Sequence, residues 1–238
     1  MARGLWSYPG SFEYTAAAML IACDFDGTIT SHDCLHLIVQ RYAPDAWNAI
    51  EQRLRSGEIG LVAAIQEEFR HVRVEEEEVV AFVMANAGVR PGFSEFVAWV
   101  ESEGHRLMVV SSGFRVLIDP VLRAAGLSRL EVHAGDAFFS LEGTRVVYPA
   151  TLRDCAAACG TCKSDVISAA TREPDYRPPL VHIGDGLSDL CAAREADIVF
   201  ARANLAVLLT REGLRFHPFE SFLEVRDTLR AAFSGVPE

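Results

Sequence analysis

Three short apolar runs in this chain stop abruptly at polar clusters, and no other feature constrains the fold as tightly. Residues 19–23 run into Asp24-Phe25-Asp26-Gly27-Thr28, residues 106–110 into Ser111-Ser112-Gly113, and residues 180–183 into Gly184-Asp185-Gly186-Leu187-Ser188-Asp189. Short runs of this kind, bounded by turn-forming residues, read as strands buried on both faces. Residues 130–134 and 198–201 are further short strands, and 137–141 with 145–148 flank Glu142-Gly143 as a β-hairpin. Between them, apolar residues recur at helical spacing over 93–103, 114–125, 163–171, 187–195, 203–212 and 219–234. Strands alternating with helices predict an α/β fold, a doubly wound parallel sheet covered on both faces.

One stretch breaks the alternation. From Cys34 to Phe96 the period is helical throughout: Leu35, Ile38 and Val39 share a face, as do Ile50 and Leu54, then Leu61, Ala64, Ile65 and Phe69, then Val79, Val80, Val83 and Met84. Breaks fall near Pro44, Gly57 and Gly88. The expected division is a core of residues 1–30 and 90–238 with an inserted all-helical domain over 31–89. Residues 1–14 read as an irregular leader rather than a cleavable signal, because the apolar run that follows flows straight into the Asp24 cluster.

Composition removes several classes of function. With 33 acidic against 22 basic side chains the formal charge is −11, and the basic residues are scattered, so nucleic acid is not an expected partner. No apolar run approaches the ~20 residues of a membrane span. Six cysteines, three of them bunched as Cys155, Cys159 and Cys162, are too few for a disulfide framework and fit reduced thiols in a cytoplasmic protein. A structural zinc site there would need a fourth ligand, for which His133 and Cys191 are the candidates; inert packed thiols are the plainer reading.

In an open α/β sheet ligands bind beyond the carboxyl ends of the strands, where the polar clusters fall. Asp24, Asp26, Asp185 and Asp189 gathered there beside Lys163 would repel one another by several kcal/mol in a low dielectric, so a divalent cation with hard oxygen ligands, magnesium, is the expected cofactor. The residues then divide into roles. Asp24 is the candidate nucleophile toward phosphorus, and Asp26, two residues on, the candidate general acid and base. Lys163, the Ser111 hydroxyl and amides of the Gly-containing turns face the phosphoryl oxygens, with Asp185 on the metal and Asp189 orienting Lys163 or a metal-bound water. Each cluster alone is an ordinary turn or helix cap; in this order, each behind its own buried strand, they point to chemistry.

These motifs resemble those of the haloacid dehalogenase superfamily: Asp24-Phe25-Asp26-Gly27-Thr28-Ile29-Thr30 the first, Val109-Val110-Ser111 the second, Lys163 the third and Gly184-Asp185-Gly186-Leu187-Ser188-Asp189 the fourth. The helical insertion is similar to the cap of the phosphoserine phosphatase branch. Within that branch Cys23 to Thr30 with Asp33, Tyr42-Ala43-Pro44, Arg90-Pro91-Gly92-Phe93, Cys159-Gly160-Thr161-Cys162-Lys163 and His217-Pro218-Phe219 resemble the methionine-salvage phosphatases of 2-hydroxy-3-keto-5-methylthiopentenyl-1-phosphate. The resemblance implies a phosphomonoesterase working through an aspartyl-phosphate, with Asp24, the Asp26 backbone carbonyl and Asp185 holding magnesium and Ser111, Ser112 and Gly113 holding phosphate. Ser112 stands where the branch usually has Gly. Asp33 stands where phosphoserine phosphatases carry a Glu for the substrate ammonium; it reads equally as an N-cap, and His32 and His36 as ordinary polar residues. The expected partner is a small phosphorylated metabolite, with phosphoserine, phosphocholine and sugar phosphates as alternatives, and the expected assembly is a monomer or homodimer. The rival functions are a phosphotransferase or mutase, a non-catalytic scaffold and a zinc-sensing module.

Overall fold

Residues 18–149 and 160–233 are described in a computed structural model. Its strands are β1 (Leu20–Cys23), β2 (Arg106–Phe114), β3 (Glu131–Phe138), β4 (Arg145–Val147), β5 (Leu180–Gly184), β6 (Ile198–Ala201) and β7 (His217–Pro218), in the sheet order β4-β3-β2-β1-β5-β6-β7. All pair in parallel except β3 with β4. The order reverses at β1, which pairs Cys23 with Val109 of β2 on one side and with Ile183 of β5 on the other. The three strands that carry the polar clusters are therefore neighbours at the centre of the sheet.

Alternation along the central strands shows why the sheet is covered twice. Ile21 and Cys23 of β1 join one buried cluster, with Val109 of β2 and Ile183 of β5. Leu20 and Ala22 point the other way and join Met108, Val110 and Leu180 in a second. Over the first face lie α5 (Phe93–Ser102), α6 (Arg115–Ala124) and α10 (Phe222–Phe233), with Phe93 of α5 edge-on to Phe222 of α10 at 4.8 Å. The second face is covered by α7 (Lys163–Ala170) and α8 (Leu190–Glu195), with α9 (Ala203–Glu212) beside them against β6.

The strandless stretch holds four helices, α1 (Cys34–Tyr42), α2 (Pro44–Arg55), α3 (Leu61–Arg70) and α4 (Glu76–Asn86). Pro44 opens α2 at a position where its missing N–H costs nothing. The inner faces of α1, α3 and α4 join the same buried cluster as the first face of the sheet, with Phe69 edge-on to Phe114 at 4.9 Å. The chain leaves and re-enters the sheet region side by side: Thr30 and Val89 form an antiparallel bridge, Ser31 N donates to Gly88 O at 2.8 Å and Arg90 N to Ile29 O at 2.8 Å.

Three expectations need correction. The run 106–110 does not end at Ser111; β2 continues to Phe114 through a register shift against β3, which re-aims the serines. Residues 130–134 and 137–141 are one strand, β3, whose far end makes the hairpin with β4. The last helix starts at Phe222 rather than at 219, because His217–Pro218 pairs with β6.

Candidate active site

Asp24 is the first residue beyond β1, and its amide donates to Ile183 O at 2.9 Å, so the ladder carries it to the end of the sheet. Its side chain is buried, and Lys163 Nζ donates to its Oδ1 at 2.6 Å. Lys163 opens α7 and is 1% exposed; it also donates to Asp189 Oδ1 at 2.5 Å. Asp189 in turn accepts at Oδ2 from the amides of Asp185 at 3.1 Å and Gly186 at 2.9 Å, and His182 Nε2 lies 3.0 Å from its Oδ1. Both oxygens of Asp189 are thus committed: it orients Lys163 and ties down the turn after β5. A Cβ on Gly184 would strike the Asp189 carboxylate, so the first glycine of that turn has no substitute.

Carboxyl oxygens of Asp24, Asp185 and Asp189 lie within 4.8 Å of one another. Burial, then Asp189, pushes Asp24 well above the usual carboxylate range, with Lys163 opposing. Burial, Asp189 and Asp33 push Asp185 up to about 7. At Asp189 the burial penalty is outweighed by Lys163 and His182, and the carboxyl stays below its ordinary range. For Lys163 burial lowers the pKa, but Asp189 and Asp24 prevail and hold it above the usual value. One ammonium therefore serves Asp189 fully and Asp24 in part, while the side chain of Asp185 has, among the described residues, a single hydrogen bond, from the Thr28 hydroxyl at 3.3 Å, with Lys163 and Arg202 acting on it from further off. A buried and a half-buried carboxylate, both under-compensated and both hard oxygen donors, fit a small divalent cation between Asp24 and Asp185.

Asp26 sits in the wide turn Phe25–Ile29 and faces β2. Its Oδ2 accepts from Ser111 Oγ at 3.1 Å and its Oδ1 from Cys34 N at 3.3 Å. Burial, with Asp33 nearby, pushes it up to about 7, where it holds or releases a proton near neutrality. Ser111 Oγ also accepts from Gly113 N at 2.9 Å. A Cβ on Gly113 would collide with Asp26 Oδ2, and one on Gly27, at φ +75°, with Asp185 Oδ2; both glycines are required by close approach. Ser112 is buried, with its carbonyl accepting from Tyr148 Oη at 2.8 Å.

The family model for haloacid dehalogenase-like hydrolases matches residues 21–194. The chain belongs to the haloacid dehalogenase-like hydrolases. Two proteins named 2-hydroxy-3-keto-5-methylthiopentenyl-1-phosphate phosphatase are similar to this hydrolase: one from Brevibacillus brevis is 31% identical over 87% of this chain and 93% of its own length. One from Bacillus cereus is 30% identical over 88% of this chain and 95% of its own. Among solved structures, a substrate-bound phosphoserine phosphatase complex shares the fold with a TM-score of 0.69 at 16% identity, covering 89% of this chain and 98% of that one. A phospho-aspartyl intermediate analogue of phosphoserine phosphatase has a TM-score of 0.69 at 17% identity, over 89% and 99% of the two chains.

Of the residues singled out in the sequence, the hydrolase brings Asp24, Asp26, Lys163, Asp185, Asp189, Ser111, Ser112 and Gly113 to the carboxyl ends of β1, β2 and β5. Asp33 is exposed and caps α1, its Oδ1 accepting from His36 N at 2.9 Å. The His36 ring packs edge-on to Trp47 at 4.9 Å. Cys155 and Cys159 lie outside the described residues; Cys162 is buried before α7, and His133 Nε2 is engaged by Glu131 at 2.6 Å. Four participants had no role assigned from the sequence: Thr28, His182, Arg202 and, in a supporting role, Arg90. Arg202 Nη1 donates to Gly27 O at 2.8 Å. His182 sits mid-strand in an apolar run, where a lone polar residue was the available signal; the two arginines bond to carbonyls, which no spacing of side chains announces. No helix among the described residues is long and apolar enough to cross a membrane.

Proposed function

We propose that this hydrolase is a magnesium-dependent phosphomonoesterase that releases phosphate from a small phosphorylated metabolite through an aspartyl-phosphate. The observation that carries the reading is the pair of carboxylates two residues apart with different partners, Asp24 facing the ammonium of Lys163 and Asp26 the hydroxyl of Ser111. Lys163 occupies Oδ1 of Asp24 and leaves Oδ2 to attack phosphorus in line with the leaving oxygen. As the P–O bond breaks, Asp26 gives its proton to the leaving alkoxide; it then takes a proton from the water that attacks the acyl-phosphate, freeing Asp24 and inorganic phosphate. Ser111 and Lys163 face the phosphoryl oxygens, with Ser112 and Gly113 shaping the same wall. Asp24, the Asp26 carbonyl and Asp185 would hold magnesium, which supplies charge neutralisation to the phosphoryl group.

Residues 31–89 act as a cap on a core formed by 1–30 and 90–238, and the cap sets the choice of leaving group. The names of the most similar relatives favour 2-hydroxy-3-keto-5-methylthiopentenyl-1-phosphate as substrate. Unpaired buried thiols at Cys23 and Cys34 suit the cytoplasm. The test is acid-quench trapping with a panel of labelled phosphomonoesters in the presence of magnesium. Wild type should carry base-labile label on protein and Asp24→Asn none; label retained on Asp24→Asn, or full turnover after chelation, would overturn the reading.

A further inference from the structure

The side chain of Arg90 is buried, 6% exposed, yet no carboxylate among the described residues lies within ion-pair reach of it. Burial, and Arg202 beside it, press its pKa down. Asp185 and Glu220 act on it only from beyond contact, and a guanidinium kept in such a place with no carboxylate against it is costly, a cost it would not bear at the surface. Its side-chain hydrogen bonds among the described residues all go to one loop: Nε to Thr28 O at 2.7 Å, Nη2 to Gly27 O at 2.7 Å and to Thr30 O at 3.1 Å. Gly27 O takes a second guanidinium, from Arg202. These carbonyls belong to the residues directly after Asp26. They are also the residues that bridge to the returning chain, since Arg90 N donates to Ile29 O and Thr30 pairs with Val89.

We propose that Arg90 is a positioning residue for proton transfer: its fork of donors fixes the loop 27–30, and through it the carboxyl of Asp26, at the point where the helical insertion joins the sheet. This rests on the acid and base role given to Asp26 above. The planar fork matters, because an ammonium reaches one carbonyl where a guanidinium spans three. Asp24, carried by the β1 ladder and Lys163, is held independently of this loop.

The experiment compares wild type, Arg90→Met, Arg90→Lys, Asp26→Asn and the Arg90→Met/Asp26→Asn double variant in single turnover with magnesium. The probes are glycerol 2-phosphate, whose alkoxide needs a proton, and 4-nitrophenyl phosphate, whose phenolate does not. Arg90→Met should slow phosphoryl transfer from glycerol 2-phosphate about 10- to 100-fold and leave the nitrophenolate burst within about 3-fold. In the Asp26→Asn background it should add less than about 3-fold, because it acts through the missing group. Arg90→Lys should show the same selectivity at smaller size, and it decides the matter should Arg90→Met not fold. Equal losses on both probes, or losses that multiply in the double variant, would overturn the proposal. Failure of the underlying reading is separately visible, as Asp26→Asn alone would then show no dependence on leaving group.

Discussion

Glu68 is a weak point in the stability of this molecule, and replacing it by Gln should make that weakness measurable. The residue lies on the inner face of α3, 7% exposed, and its Oε1 has no hydrogen-bond partner among the described residues. Burial, then the negative charges of Glu51, Asp33 and Glu67, push its carboxyl up to about 7 from an ordinary 4.5. Converted at ~1.4 kcal/mol per pH unit, that gap sets a ceiling of about 3 kcal/mol, and relaxation of α2 and α3 leaves about 1–3 kcal/mol. The folded state keeps a proton that the unfolded chain has released. Stability is therefore lost as pH rises from 4.5 through about 7, and the loss is complete above it. Glu68→Gln is blind to this titration, and whatever its unmet amide costs is the same at every pH. Urea or thermal unfolding of both proteins at pH 5 and pH 8 should show the variant gaining about 1–3 kcal/mol relative to wild type between the two, or roughly 2–10 °C in Tm. A difference between the two proteins that stays constant with pH would refute the argument.

Asp26→Asn should retain a nitrophenolate burst with 4-nitrophenyl phosphate while losing turnover of alkyl phosphates, measured by stopped flow; equal loss on both would remove its acid role. Calcium should inhibit in competition with magnesium, since its larger coordination sphere can take both oxygens of Asp24 and spoil in-line attack; steady-state rates at fixed magnesium and rising calcium read this directly. Asp33→Ala should lower kcat/KM for the natural substrate roughly ten- to two-hundred-fold and for 4-nitrophenyl phosphate far less, while costing about 1 kcal/mol of stability through the lost cap of α1. A stability loss with no change in kcat/KM would leave Asp33 as a cap alone.

Much of this was legible in the residues. β6 and α9 fall where periodicity placed them, because a hydrophobic run flanked by Asp197 and Arg202 and a helix closed by Gly213 at φ +68° leave little freedom. The active-site carboxylates were legible because each follows a strand that can only be buried. What escaped was set by contacts distant in sequence. Residues 130–134 and 137–141 read as separate segments, yet β3 runs unbroken through Gly135, where a Cβ would strike the Tyr148 ring. β2 outruns its apolar run because the shifted pairing accommodates Ser111 and Ser112 inside the sheet. Arg90 was visible only as part of a resemblance, since its partners are carbonyls and carbonyls have no side-chain signature.

The place of β1 at the reversal of strand order has a consequence for the chain as it leaves the ribosome. β1 finds its first neighbour when β2 emerges, but its second edge waits until residues 180–184 are made. Over that interval Leu20–Cys23 presents unpaired amides and carbonyls beside an apolar surface, a template that any other extended segment can add to. Lys163 and Asp189 also arrive late, so Asp24 has no ammonium to face while the edge is open. Burying that carboxylate before its partners come would leave a charge without compensation, a cost that weighs against closure of the nascent edge on a wrong strand.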